Sequence, residues 1–256
     1  MILDRIEWII VLPAFLAGML VLATHVPLGR RVLQRGIIFI DLAIAQIAAV
    51  GTIAGHLLGW DQASWMRQVA AVTAALAGAF LLSWTERRWP EVQEAMIGAI
   101  FVLAASAGLL LLVHDPHGGE HLHDMLVGQI LWVSSNELIF AAAVTVAVIA
   151  LLHYLVPHVR SLGFYLVFAC AVTVSVQLVG VYLVFASLII PALATRHYTA
   201  AWQLPVAYGL GIVAYAAGLM LSALLDLPAG AVIVWTLGGL GVLVYAYPSR
   251  EPAVPN

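Results

Sequence analysis

The chain has 256 residues, of which 64% are apolar and 9% charged, with a formal net charge of −3. A soluble protein carries roughly 25% charged residues. So few charges cannot cover a water-facing surface, and the mean hydropathy of +1.05 points to an integral membrane protein built as one compact all-α domain. All ten basic residues are arginines, and lysine is absent. A P-loop ATPase needs a phosphate-binding lysine and Schiff-base chemistry needs a lysine amine, so neither activity resides in this chain. If transport is driven by ATP, the motor is another polypeptide. The charge balance gives no reason to expect nucleic acid as a partner.

A membrane-spanning helix needs about 20 mainly apolar residues. The spacing predicts spans over residues 8–26, 37–58, 65–84, 92–113, 138–156, 202–224 and 229–247, with a longer run at 162–195. As a single helix that run would be about 51 Å long, against a hydrocarbon core of about 30 Å. It is therefore expected to break near residues 177–180, giving eight to nine segments, with the second piece partly re-entrant. Arg30, Arg31 and Arg35 follow the first apolar run rather than precede it, so that run is read as a span and not as a signal peptide.

The arginines also orient the chain. With Arg30, Arg31 and Arg35 on the cytoplasmic side, alternation of spans places Arg87, Arg88, Arg160, Arg196 and Arg250 there too, leaving only Arg5 and Arg67 outside. The expectation is an N-terminus outside, a transmembrane domain over residues 1–248, and a short cytoplasmic tail over 249–256. Cys170 lies inside an apolar run and is read as a core residue, so no disulfide framework or thiolate metal cluster is expected.

The most polar stretch, residues 114–124, holds four of the nine histidines and three carboxylates. Imidazole and carboxylate are preferred ligands of zinc and similar divalent ions. Pro116, Gly118 and Gly119 would let the backbone fold back so that His114, His117 and His121 converge, with Asp115, Glu120 and His123 alongside. Such a loop could hold an exchangeable metal site; the alternative is a solvated connection between two spans.

Within the spans, Asp41, Gln46, His56 and Gln177 are the candidate pathway residues, because polar groups in hydrocarbon are costly unless they face partners or water. Asp41 is also placed to snorkel to the interface, Gln46 to bond a neighbouring helix, and His56 to sit at the interface. Gln177 falls where the long run is expected to unwind. Eight tryptophans lie mostly near span ends, as interfacial anchors do. No Gly-x-Ser-x-Gly turn and no His-Glu-x-x-His zinc-protease signature occurs, so an intramembrane hydrolase is not expected.

Three stretches carry a resemblance. Arg30-Arg31, Gly36 through Gln46 and Gly51 resemble the second span and its approach in the permease subunits of ABC importers for zinc, manganese and iron. Val179-Gly180-Val181-Tyr182-Leu183 followed by Ile189-Ile190-Pro191-Ala192 and Ala194-Thr195-Arg196 follows that family's Val-Gly-x-Leu-Leu…Ile-Ile-Pro-Ala…Ala-x-Arg pattern. Gly218-Leu219-Met220-Leu221-Ser222 with Asp226-Leu227-Pro228-Ala229-Gly230-Ala231 resembles a third signature, and Pro116 through His121 is similar to one branch of the family.

The resemblance implies a non-enzymatic transport subunit in the cell (inner) membrane, with a divalent metal ion as substrate and no permanently bound cofactor. It implies three partners: a separate ATP-binding subunit, an extracytoplasmic substrate-binding protein, and a second permease copy in a homo- or heterodimer. The ATPase would dock at the 156–163 connection, through His158, Arg160 and Gly163, and near Arg196. The family usually carries Asp-Ala-x-x-His in its second span, lining the metal path. Alignment on Gly51 places Leu42 and Gln46 at those two positions, and alignment on Asp41 leaves Ala45 at the histidine. The docking connection is also shorter and more basic here than in the family. The rival reading is an ion-coupled secondary transporter or channel that uses Asp41.

Overall fold

Hydrocarbon offers no partners to backbone N–H and C=O groups, so apolar runs satisfy them internally as helices. The computed structural model describes residues 8–57, 64–113, 119, 126–154 and 161–246. Among them are nine helices and no strand: α1 (Trp8–Arg35), α2 (Ile40–Leu57), α3 (Ser64–Arg88), α4 (Gln93–Leu112), α5 (Ser135–Tyr154), α6 (Ser161–Val179), α7 (Val181–Ala194), α8 (Ala200–Leu225) and α9 (Ala229–Ala246). Eight are long and apolar enough to cross a membrane; α7, at 14 residues, is shorter. The all-α bundle expected from the sequence is therefore observed.

The long run breaks at Gly180, where φ is 82°. An L-residue with a side chain rarely adopts that region. A Cβ at Gly180 would also overlap the backbone of Val127 and Gly128, and one at Gly128 (φ 73°) would overlap Val179 and Gly180. The two glycines thus meet backbone to backbone. The first helix departs from expectation: it continues through Pro27 to Arg35 instead of ending at residue 26. A proline is tolerated inside a spanning helix when neighbours pack the freed turn, and Val26, Leu28 and Gly29 are all buried here.

Close approaches give the helix directions. Gly29, near the end of α1, lies against Leu188 and Ala192 of α7, and Gly241, near the end of α9, lies against Ile190 of the same helix. Gly230, at the start of α9, lies against Val127, which adjoins the Gly180 break. Tyr165, at the start of α6, meets Gln93, at the start of α4. Consequently α6 runs away from the end that holds Arg35 and Arg88, and α7 returns to it. Trp8 and Ala246 stand at opposite ends of the bundle. Six of the seven described arginines (30, 31, 35, 87, 88 and 196) gather at one end, and Arg67 is at the other.

Burial separates the core from the lipid face. The spanning window of α6 is 72% buried, against 17% for α4 and 22% for α5. Phe164, Tyr165, Phe168 and Tyr215 are fully enclosed. The third sequence motif is the α8–α9 turn: the Ser222 hydroxyl donates to Leu227 O at 2.6 Å, Asp226 takes a left-handed conformation (φ 54°), and Gly218 lets α9 approach through Ile233 and Thr236. Gly218, Ser222 and Asp226 of that signature thus each have a structural reason.

Gly180→Ala is expected to destabilise the protein by about 2 kcal/mol or more, since it combines a disallowed φ with a backbone overlap. Gly209→Ala, where an added Cβ meets nothing within 4 Å, is expected to be neutral or slightly stabilising. Thermal unfolding of both variants in detergent checks the pair.

Candidate functional site

A group of charged and amide side chains links several helices at the arginine end. Arg35 pairs with Glu86 at 3.6 Å and lies 4.2 Å from the centroid of the Phe164 ring. Gln93 Nε2 donates to Leu82 O at 3.0 Å and to the Tyr165 hydroxyl at 3.1 Å. Glu94 Oε1 accepts the backbone N–H of Phe39 at 3.2 Å, and Arg31 Nη2 reaches Leu152 O at 3.5 Å. These contacts tie the ends of α1, α3 and α4 to Leu152 on α5 and Phe164 and Tyr165 on α6. The connection between α5 and α6 is the docking segment read from the sequence. His158 and Arg160 lie outside the described residues; Gly163 is buried in the first turn of α6. Arg196 is exposed just beyond α7, where its Nη2 donates to the Tyr245 hydroxyl at 2.8 Å.

The four pathway candidates are not brought together as one site. Helix α2 begins at Ile40, after a turn through Gly36 (φ 69°). Asp41 is therefore in its first turn, and Gln46 only about 9 Å along the helix, shallower than the 37–58 reading implied. Asp41 is 1% exposed, and its Oδ1 has no hydrogen-bond partner. A carboxylate at a helix start meets unpaired N–H groups and the positive end of the dipole. Gln46 lies about 140° further round the helix, half-buried, on one stripe with Leu42. Asp41 and Ala45 share the buried face instead. His56 is half-buried at the far end of α2, and Gln177 is exposed one turn before the Gly180 break. The candidate metal loop, with His114, Asp115, His117, Glu120, His121 and His123, lies outside the described residues.

Several polar residues escaped the sequence reading. Glu86, Gln93 and Glu94 flank the short α3–α4 connection, and in a chain this poor in charge their placement opposite Arg31 and Arg35 was the available signal. Two more lie deep inside. His25 is fully buried on α1, with Nδ1 in contact with Val21 O at 3.0 Å and the Thr24 hydroxyl at 2.9 Å. Ser187 on α7 and Tyr215 on α8 share a buried hydrogen bond of 2.9 Å. No periodicity marks them.

A bundle that includes eight membrane-length helices defines a multi-pass membrane protein. The chain belongs to the ABC 3 transport family, whose model matches residues 7–160 and 155–247, and it is the membrane-spanning permease component of that system. It is 26% identical over 208 residues to the manganese transport system membrane protein MntC of Bacillus subtilis, covering 72% of this chain and 48% of that one. It is 23% identical over 246 residues to the high-affinity zinc uptake system membrane protein ZnuB of Haemophilus influenzae, covering 88% and 92%. Its fold matches PsaBC from Streptococcus pneumoniae, solved in complex with Fab, at a TM-score of 0.75 and 20% identity over 97% of each chain.

The two α2 residues are expected to respond differently to substitution. Asp41→Asn removes a carboxylate from the positive end of the α2 dipole and lowers stability by no more than about 1 kcal/mol. Gln46→Leu, at a side chain with no hydrogen bond among the described residues, leaves the melting temperature unchanged and lowers transport. Thermal unfolding and vesicle uptake of the two variants, run side by side, check this.

Proposed function

We propose that the chain imports a divalent metal ion (zinc, manganese or iron) across the cytoplasmic (inner) membrane. It does so as one of two permease copies, powered by a separate ATP-binding subunit and supplied by an extracytoplasmic binding protein. The observation that carries this reading is the family match over nearly the whole chain, joined by relatives whose names specify manganese and zinc transport. The absence of lysine agrees with it, since the energy source must lie on another chain.

In this reading the arginine end faces the cytoplasm and the N-terminus lies outside. The ATPase docks at His158, Arg160 and Arg196, next to the polar lattice of Arg35, Glu86, Gln93 and Tyr165 that links α1, α3, α4 and α6. Movement at the docking segment is thereby passed to several helices at once. Gln46, on the partly exposed stripe of α2, is available to line a path shared with the second copy; Asp41, turned into its own protomer, holds the start of that helix. On the outside, His114, His117, His121 and His123, with Asp115 and Glu120, form an exchangeable relay. A cluster of neutral imidazoles binds such ions and releases them when the site is open and its geometry loose.

Uptake of zinc, manganese and iron into vesicles holding the permease, its ATPase and the binding protein tests the reading. ATP-dependent uptake that persists when the proton gradient is dissipated is expected. Uptake that collapses with the gradient and ignores ATP would instead support an ion-coupled carrier using Asp41. Replacing His114, His117, His121 and His123 together by alanine is expected to weaken metal capture at low concentration by about tenfold or more, while ATPase activity of the assembly is retained. Uptake plotted against metal concentration reads this out.

A further inference from the structure

The helices α1 and α8 touch closely toward the far end and part toward the arginine end. Gly18 lies under the Tyr215 ring, Gly211 lies against Leu22, and the Tyr208 hydroxyl donates to Ala23 O at 3.2 Å. Beyond that point the two helices diverge and enclose, with the end of α7, a cavity of about 340 Å³. A water molecule occupies about 30 Å³, so this space is sized for a small organic group. Val26, Leu204 and Ala207 form its apolar wall; Arg30, Gln34, Thr195, Arg196 and Gln203 supply its polar wall, and no carboxylate lines it.

Two atoms in that wall are left without partners. Arg30 Nε, a charged donor, and Gln203 Oε1, a neutral acceptor, are both buried and unpaired, although Gln203 Nε2 is anchored on Arg196 O at 3.3 Å. A buried group without a partner costs about 1–3 kcal/mol, and more if charged. A ligand held here would place an anionic acceptor at the Arg30 guanidinium and a hydroxyl beside the Gln203 amide. The start of α8, whose N-cap Thr199 makes no side-chain cap, also opens at this level and adds positive potential. Trp202 is 61% exposed and Tyr245 41% exposed beside it, the placement of aromatics that sit among lipid headgroups.

We propose that this cavity binds a phosphate group carrying a neighbouring hydroxyl, supplied by the phosphoglycerol headgroup of an anionic phospholipid. The phosphate oxygens accept from the Arg30 guanidinium, with Arg196 at the mouth; a glycerol hydroxyl meets the Gln203 amide. Binding joins α1 to α8 at the end where they are otherwise apart. The inference does not depend on which ion is transported.

The test uses the full chain purified in neutral detergent, with phosphatidylglycerol, phosphatidylcholine or inorganic phosphate added. Native mass spectrometry reads retention, and thermal unfolding reads stabilisation. Phosphatidylglycerol is expected to be retained in preference to phosphatidylcholine and to raise the melting temperature. Arg30→Gln and Gln203→Leu are each expected to weaken that retention by roughly tenfold, while Arg87→Gln, an exposed arginine at the same end, leaves it unchanged. Gln203→Leu alters no charge, so it remains informative if Arg30→Gln folds poorly. Stabilisation by inorganic phosphate that is lost in Arg30→Gln, without a preference between the lipids, would support the phosphate site and overturn its lipid source. Equal retention of both lipids with no phosphate effect would overturn the proposal. So would variants that keep the lipid preference and lose only co-purification with the ATPase, since the cavity would then be a protein-docking pocket.

Discussion

The bundle depends on backbones that touch where side chains would have kept them apart. Inside a membrane, lipid tails are as apolar as leucine, so helices associate through close packing more than through a hydrophobic drive. Gly29 brings α1 onto the carbonyl of Leu188, Gly128 and Gly180 meet at the head of α7, and Gly241 admits Ile190. All three contacts converge on α7. This helix of 14 residues is about 21 Å long, short for a span, and it is held between α1, α8 and α9. Its reversal at Gly180 brings Arg196 back to the end that holds the other arginines.

Once α7 returns, the scarcity of charge becomes an organising feature. Two carboxylates at the arginine end each engage a partner through one oxygen: Glu86 with Arg35 and Glu94 with the Phe39 amide. Desolvated charges in such a setting need partners close by, and the pairs found here connect different helices. In the importer proposed above, links of this kind would pass the movement of a separate motor subunit between helices. The same end contains the wedge between α1 and α8, lined by Arg30 and Gln203.

Much of the fold was legible because span length and arginine placement are properties of composition along the chain. The break of the long run was predictable from its excess length alone, and the motif Gly218…Ser222…Asp226 proved to be the α8–α9 turn. The site was less legible. The relation between Asp41 and Gln46 could not be read from hydropathy, because it depends on where α2 begins, and Gly36 sets that start by turning the chain three residues later than the apolar run suggests. Glu86, Gln93 and Tyr165 are far apart in sequence and acquire meaning only when α3, α4 and α6 are side by side.

The sequence by itself determined that this chain crosses a membrane many times, that its arginines collect on one side, and that it lacks the lysine a nucleotide-driven motor requires. These follow from transfer free energies, which act residue by residue. Only the tertiary structure decided which faces of the helices meet. It turned Asp41 inward and Gln46 outward, closed α1 on α7 through Gly29, and left Arg30 and Gln203 facing one cavity. Those outcomes depend on contacts between distant segments, where a single missing Cβ sets the distance between two backbones.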